Sequence, residues 1–413
     1  MGGAASDIEA VKPRPRTDTQ IWGIYFALML FSVIELFSAS SREVQDGNIL
    51  GPILRHAALL FIGFLIMLYL QNTDYNKIKK YTGAITLLAV GLTIYTMFCG
   101  NIINGARRSV TILGVFSVQP SELLKMTAAM FIANELSSHL VKGKTDVETR
   151  AVIVTALMVL FFCALLVKQG LTNTLLLMAI SLSMMIIGGV SWKKFGIVLA
   201  VYGMLGCGYG VFKHFTKDES DSTDRTNLRV SRMMSFLEKD KYAQPITSDN
   251  QQEQYSYIAQ ANGGVLGVLP GNSRETARLP LAFSDYIYAI VIEDLGFVGG
   301  MILMVLYLWL LARAGVIASQ CRKAYPALLV IGMAVFIVYQ ALFHMAIVTG
   351  AAPVSGQPLP FISKGGSSVI ISSIALGIML SVSRFALRKD SKTQMRDNLT
   401  SLDASAADNP TQL

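Results

Sequence analysis

Residues 152–167 read Val-Ile-Val-Thr-Ala-Leu-Met-Val-Leu-Phe-Phe-Cys-Ala-Leu-Leu-Val, a run in which Thr155 is the only polar position. A surface helix of a water-soluble protein carries a polar face on every turn. This stretch has none, and it is close to the length needed to cross a lipid core. Tyr25–Phe37 and Ala57–Leu70 are nearly as apolar, and short charged segments separate such runs along the whole chain. Of the 413 residues, 53% are hydrophobic and 15% are charged. A soluble domain usually carries about 25% charged residues, so a large soluble helical protein is excluded.

Working outward from 152–167, the apolar runs define ten spans, at approximately 20–39, 52–70, 81–99, 120–140, 151–167, 171–190, 194–213, 284–311, 325–347 and 366–387. The expected fold is all-α and polytopic, with about ten transmembrane helices. An even number puts both ends of the chain on one side. With the N-terminus inside, the inner segments carry Lys12, Arg14 and Arg16, Lys77, Lys79 and Lys80, Lys142 and Lys144, Lys193 and Lys194, Arg322 and Lys323, and Arg384 and Arg388. The short outer loops carry few cations, which is the positive-inside pattern and places both termini in the cytoplasm. Orientation also accounts for the net charge of +8, so no nucleic-acid partner is implied.

The chain thus divides into a cytoplasmic tail (1–19), a membrane domain (20–388) and a polar C-terminal tail (389–413) whose composition reads as disordered. Between spans seven and eight lies an extracytoplasmic loop of about 214–283, too long to be structureless in a compact domain. Within it, Leu228–Leu237 is amphipathic and basic, and Tyr255–Ala261 reads as a short helix ending at Gly263-Gly264. The four cysteines and four histidines are scattered, without metal-ligand spacing.

Ionisable groups in spans are candidates for function because burying them is costly. Gln119-Pro120-Ser121-Glu122 opens span four, and Glu122 and Lys125 share a helix face. They fit either a structural ion pair or a reactive site. Arg107-Arg108 sits on the outer side, where paired guanidinium groups grip phosphate or simply form a solvated loop. Ser284-Asp285 begins span eight, where an acid also complements the helix dipole. Glu293 and Asp294 lie about 12 Å deeper at helical rise, beyond any capping role. Ser363-Lys364-Gly365-Gly366-Ser367 precedes span ten and reads as a plain turn or as a cradle of backbone N–H groups for an anion.

At these residues the chain resembles the SEDS family (FtsW, RodA, SpoVE). The resemblance covers roughly residues 20–388. The family's "FQPSEL.K" is matched by Val118–Lys125, "GG..G.G...S" by Gly263–Ser273, "P..HTDFIFAVIAEELGF.G" by Pro280–Gly299, and "P.TG.PLPFISYGGSS" by Pro353–Ser368. The chain departs from the family at Lys168–Asn173, where the Asp of "QPD.GT" is missing, and at Lys364, His344 and Ser284.

The resemblance implies a peptidoglycan glycosyltransferase of the cytoplasmic (inner) membrane. Its expected substrate is lipid II, polymerised at the outer face. The tails lean towards the division branch, FtsW, over a RodA-like elongation polymerase, and a lipid II flippase is the alternative from another class. Asp285 matches the family's catalytic aspartate. The expected substrate contacts are Arg107, Arg108, Gln119, Ser121, Glu122, Lys125, Gly263, Gly264, Ser363, Lys364, Gly365, Gly366 and Ser367. The chemistry admits a divalent cation (Mg or Mn), and the family implies a class B penicillin-binding transpeptidase and other divisome membrane proteins as partners.

Overall fold

The computed structural model describes residues 17–43, 50–103, 106–112, 116–140, 146–215, 236, 242, 244–247, 250–279 and 282–407. A helix occupies every apolar segment read from the sequence. These are α1 (Thr19–Glu43), α2 (Leu50–Gln71), α3 (Tyr75–Cys99), α4 (Pro120–Ser138), α5 (Thr149–Val167), α6 (Leu171–Ile187) and α7 (Trp192–Phe215). After the long loop come α9 (Ile287–Ser319), α10 (Ala324–Val348) and α11 (Gly366–Ala407), with α8 (Gln251–Gly263) inside the loop. Residues 216–235, which include most of the amphipathic stretch, lie outside the described residues.

Seven of these helices are long and apolar enough to cross a membrane: α1, α2, α3, α5, α9, α10 and α11. The chain is a multi-pass membrane protein. The other three expected spans fall on α4, α6 and α7, and the side chains of α7 are described only to residue 208. Helix α6 is apolar but has only 17 residues. Helix α4 carries Glu122, Lys125 and Glu135, and most of its residues are buried by neighbouring helices. It is a core helix shielded by protein, where charges are tolerated.

Two features were not expected from sequence. A three-stranded antiparallel sheet, β1 (Asn101–Ile103), β2 (Ala106–Ile112) and β3 (Phe116–Val118), joins α3 to α4. β1 and β3, of three residues each, are too short to show a period-two pattern. Helix α11 runs on to Ala407, across most of the segment read as a disordered tail. Its apolar part ends near Ala386. Beyond that point the helix is already nucleated, and Leu, Arg, Lys, Gln and Met propagate it at little cost.

Helix α9 is broken at Gly296, whose φ of 73° lies in the left-handed region. In a membrane the carbonyls freed by a break need other donors. The glycine turn after α8 supplies them: Val268 N donates to Glu293 O and Leu269 N to Asp294 O, each at 2.9 Å. In return Phe297 N donates to Gly264 O at 2.9 Å. Only glycine permits this approach, since a Cβ on Gly267 would lie 2.2 Å from Asp294 O and one on Gly263 2.0 Å from Ile292 O. The loop is thereby stitched to the helix that follows it.

On the other end of α9, Arg313 donates to Asp18 Oδ2 from Nε at 2.8 Å and Nη2 at 2.6 Å. Asp18 Oδ1 accepts from the backbone of Gln20 and Ile21 and so caps α1. One carboxylate therefore starts α1 and ties it to α9.

Candidate active site

A cavity of about 310 Å³ forms where α2, β2, β3, the N-terminus of α4, the segment before α9 and the turn before α11 converge. Eight of the residues singled out in the sequence line it: Ser284, Asp285, Gln119, Glu122, Lys364, Gly365, Gly366 and Ser367. Helix α9 begins at Ile287, so Asp285 stands in the turn just ahead of it, half-buried. The Ser284 hydroxyl donates to Asp285 Oδ1 at 2.9 Å. Gly356 backs onto the same carboxylate, and a Cβ there would lie 2.6 Å from Oδ2.

The turn before α11 is pinned to the Asp285 segment. Lys364 N donates to Phe283 O at 2.8 Å. Ser363 Oγ donates to Ser284 O at 2.8 Å and accepts from Leu359 N at 2.7 Å. Ser363 is therefore a buried bracket holding two segments in register, not a wall of the cavity. Tyr307 on α9 donates to Pro360 O at 2.5 Å, and the buried Phe361 ring meets Tyr25 edge-on. The exposed Lys364 ammonium lies over the Phe283 ring, 6.0 Å from its centre.

Behind the cavity lies a buried polar layer. Glu122 accepts from Gln340 Nε2 at 3.4 Å, and that amide also donates to Pro358 O at 3.3 Å. Lys125 shares a helix face with Glu122, as expected, but takes different partners: Nζ donates to Asn173 Oδ1 at 3.0 Å and Gln357 Oε1 at 3.4 Å. Ser121 is buried and accepts from Gln119 Nε2 at 3.0 Å.

Other expected contacts sit elsewhere. Gly263 and Gly264 do not line the cavity; their backbone docks on α9 around its break. A close backbone approach to a helix and one to a phosphate leave the same glycine signature. Glu293 is fully buried and anchors the loop, accepting from Ser273 Oγ, from Arg274 N at 2.9 Å and from Glu275 N at 3.4 Å. Arg107 and Arg108 lie on β2, and their side chains fall outside the described residues.

Sequence reading missed Arg55, His56, Ser109, Ser117 and Gly356, all of which line the cavity. Arg55 and His56 sit near the start of an apolar run, and ionisable residues there are functional candidates by default; that signal was available. The two serines had none, because nothing in the sequence folds β2 and β3 over α4.

Residues 18–388 match the family FTSW_RODA_SPOVE, described as cell cycle protein. A probable peptidoglycan glycosyltransferase FtsW of Wigglesworthia glossinidia brevipalpis is 28% identical, over 88% of this chain and 93% of its own length. Stage V sporulation protein E of Bacillus subtilis is 30% identical, over 79% of this chain and 86% of its own. Among solved structures, a chain of a peptidoglycan synthase complex that coordinates polymerization and crosslinking superposes with a TM-score of 0.69 at 22% identity, covering 90% of this chain and 98% of that one. The Thermus thermophilus rod shape determining protein RodA does so with a TM-score of 0.62 at 21% identity, covering 90% and 97%. These two likenesses establish the shared fold.

Proposed function

The chain belongs to the FtsW/RodA/SpoVE family of cell cycle proteins, and on that premise we propose that it is a peptidoglycan glycosyltransferase polymerising lipid II, with an FtsW-like role in division. The observation that carries this reading is the cavity that gathers the acid of one family motif, Asp285, with residues of two others, Glu122 and Lys364–Ser367. The relatives' names supply the reaction class.

In the proposed reaction the 4-hydroxyl of an acceptor sugar attacks the anomeric carbon of a donor. The carbon–oxygen bond to the lipid pyrophosphate breaks, and its electron pair leaves with the phosphate. Asp285 takes the hydroxyl proton as general base. The carboxylate is held for this role: Ser284 donates to one oxygen, and the Gly356 backbone packs close to the other. Arg55 and Lys364, which line the same cavity, would meet the developing negative charge. Among the described residues no cluster of three His, Cys, Asp or Glu could hold a metal. A magnesium-type ion is commonly held by one or two carboxylates together with substrate phosphates. Asp285 is the carboxylate that would hold such an ion, which would supply positive charge for the leaving group.

The topology proposed with this function has both termini in the cytoplasm, the α8 loop outside, the domain division of 1–19, 20–388 and 389–413, and a class B penicillin-binding transpeptidase as partner. The experiment that tests the function is glycan synthesis by purified protein from lipid II with a divalent metal. Asp285→Asn keeps the side chain's size and cannot take a proton, so it should lower turnover about 10²- to 10⁴-fold. Polymerisation near the wild-type rate by Asp285→Asn would remove the base. Transport of lipid II without any polymer would favour a flippase instead.

A further inference from the structure

We propose that Gln357 is a positioning residue for Asp285, an inference that rests on the glycosyltransferase reading. Gln357 is nearly fully buried and follows Gly356, the residue packed against the Asp285 carboxylate. All four of its polar functions are engaged, the backbone N donating to Ser355 O at 3.1 Å. Oε1 accepts from Lys125 Nζ at 3.4 Å, Nε2 donates to Gly356 O at 3.3 Å, and the backbone carbonyl meets His344 Nδ1 at 2.6 Å. A carbonyl only accepts, so His344 carries its hydrogen on Nδ1.

The amide orientation is therefore set from both ends. Lys125 on α4 aims Oε1, and Nε2 in turn holds the Gly356 carbonyl. The result is a continuous line of contact, Lys125 to Gln357 to Gly356 to Asp285, linking the core of the bundle to the reacting carboxylate. Lys125 is fully buried and, among the described residues, no carboxylate lies within ion-pair distance of it. Neutral acceptors from Asn173 and Gln357 take that place. Gln357 thus does two separable things: it satisfies a buried ammonium, and it holds the backbone against which Asp285 rests.

Two substitutions separate these roles. Gln357→Met keeps the volume and loses both contacts. Gln357→Glu keeps an acceptor for Lys125 and loses the donation to Gly356 O. Positioning predicts that both variants fold and that kcat falls about 10- to 100-fold, the penalty of a small misplacement. KM for lipid II should stay within about threefold, because the lost interaction is not one that binds substrate. A role limited to satisfying Lys125 predicts near-normal kcat for Gln357→Glu, and that result overturns the proposal. So does kcat within about twofold of wild type for Gln357→Met. Should Gln357→Met fail to fold, the Gln357→Glu variant decides alone. Carbodiimide labelling of Asp285, read by mass spectrometry, provides a measure independent of turnover. Positioning predicts a changed labelling rate in both variants. An unchanged rate overturns the inference even if the wild-type protein makes no glycan, an outcome that would refute the glycosyltransferase reading separately.

Discussion

Replacing Glu293 by alanine should release the segment that leads from α8 into Asp285, while leaving the helix bundle intact. The carboxylate accepts from Ser273 Oγ, Arg274 N and Glu275 N. In Glu293→Ala the Ser273 hydroxyl keeps Thr276 Oγ1 at 2.5 Å as a partner, but the two backbone amides lose theirs. An unsatisfied buried donor costs about 1–3 kcal/mol. Arg274 is exposed, so water replaces part of its loss, whereas Glu275 is buried. The sum is about 2–4 kcal/mol of local opening energy, or roughly 30- to 1,000-fold faster hydrogen exchange at residues 274–279. Glu293→Gln retains one acceptor oxygen and should fall between wild type and alanine. Exchange measured by mass spectrometry on protein in detergent or nanodiscs reads the effect directly. Because Leu279 N donates to Glu275 O and Ala282 N to Leu279 O, the loosening reaches the Asp285 turn and should lower turnover as well. Unchanged exchange in Glu293→Ala would show that the carboxylate does not hold the loop and would reopen its reading as a reactive group.

Two further outcomes follow from other parts of the fold. Gly296→Ala places a Cβ 2.2 Å from Val265 O at a φ of 73°, so the loop must undock and thermal stability should drop sharply, whereas Gly83→Ala meets nothing within 4 Å and should be neutral. In the segment between α4 and α5, Asp146 accepts from Lys194 Nζ at 2.8 Å and from Ser191 N at 3.1 Å. The Lys194 hydrogen bond holds its carboxyl below the usual carboxylate range. A depressed carboxylate stabilises above its unfolded pKa and loses that contribution as pH falls through its folded one. Exchange at the Ser191 amide should therefore stay slow down to about pH 4 and rise only in stronger acid, whereas in Asp146→Asn the acid-dependent rise should disappear.

The placement of helices was legible because lipid leaves the backbone no other partner. An apolar run long enough to cross must satisfy its own N–H and C=O groups, so Val152–Val167 and its counterparts declare themselves without reference to the rest of the chain. The identity of the site residues was legible in part, since Asp285, Glu122 and Lys364–Ser367 stand in three compact motifs. Their surroundings were not. Glu122 and Lys125 are three residues apart, and spacing alone pairs them, yet Asn173 and Gln357 arrive from distant segments and take the ammonium. Gly263-Gly264 reads equally well as a phosphate cradle and as a docking turn, and only the break at Gly296 shows what the glycines meet. Arg55, His56, Ser109 and Ser117 join the cavity because α2 and the small sheet fold over α4. Periodicity and motif spacing report on neighbours within a turn or two of helix, whereas the cavity is made by segments more than 200 residues apart whose meeting is decided by how the bundle packs.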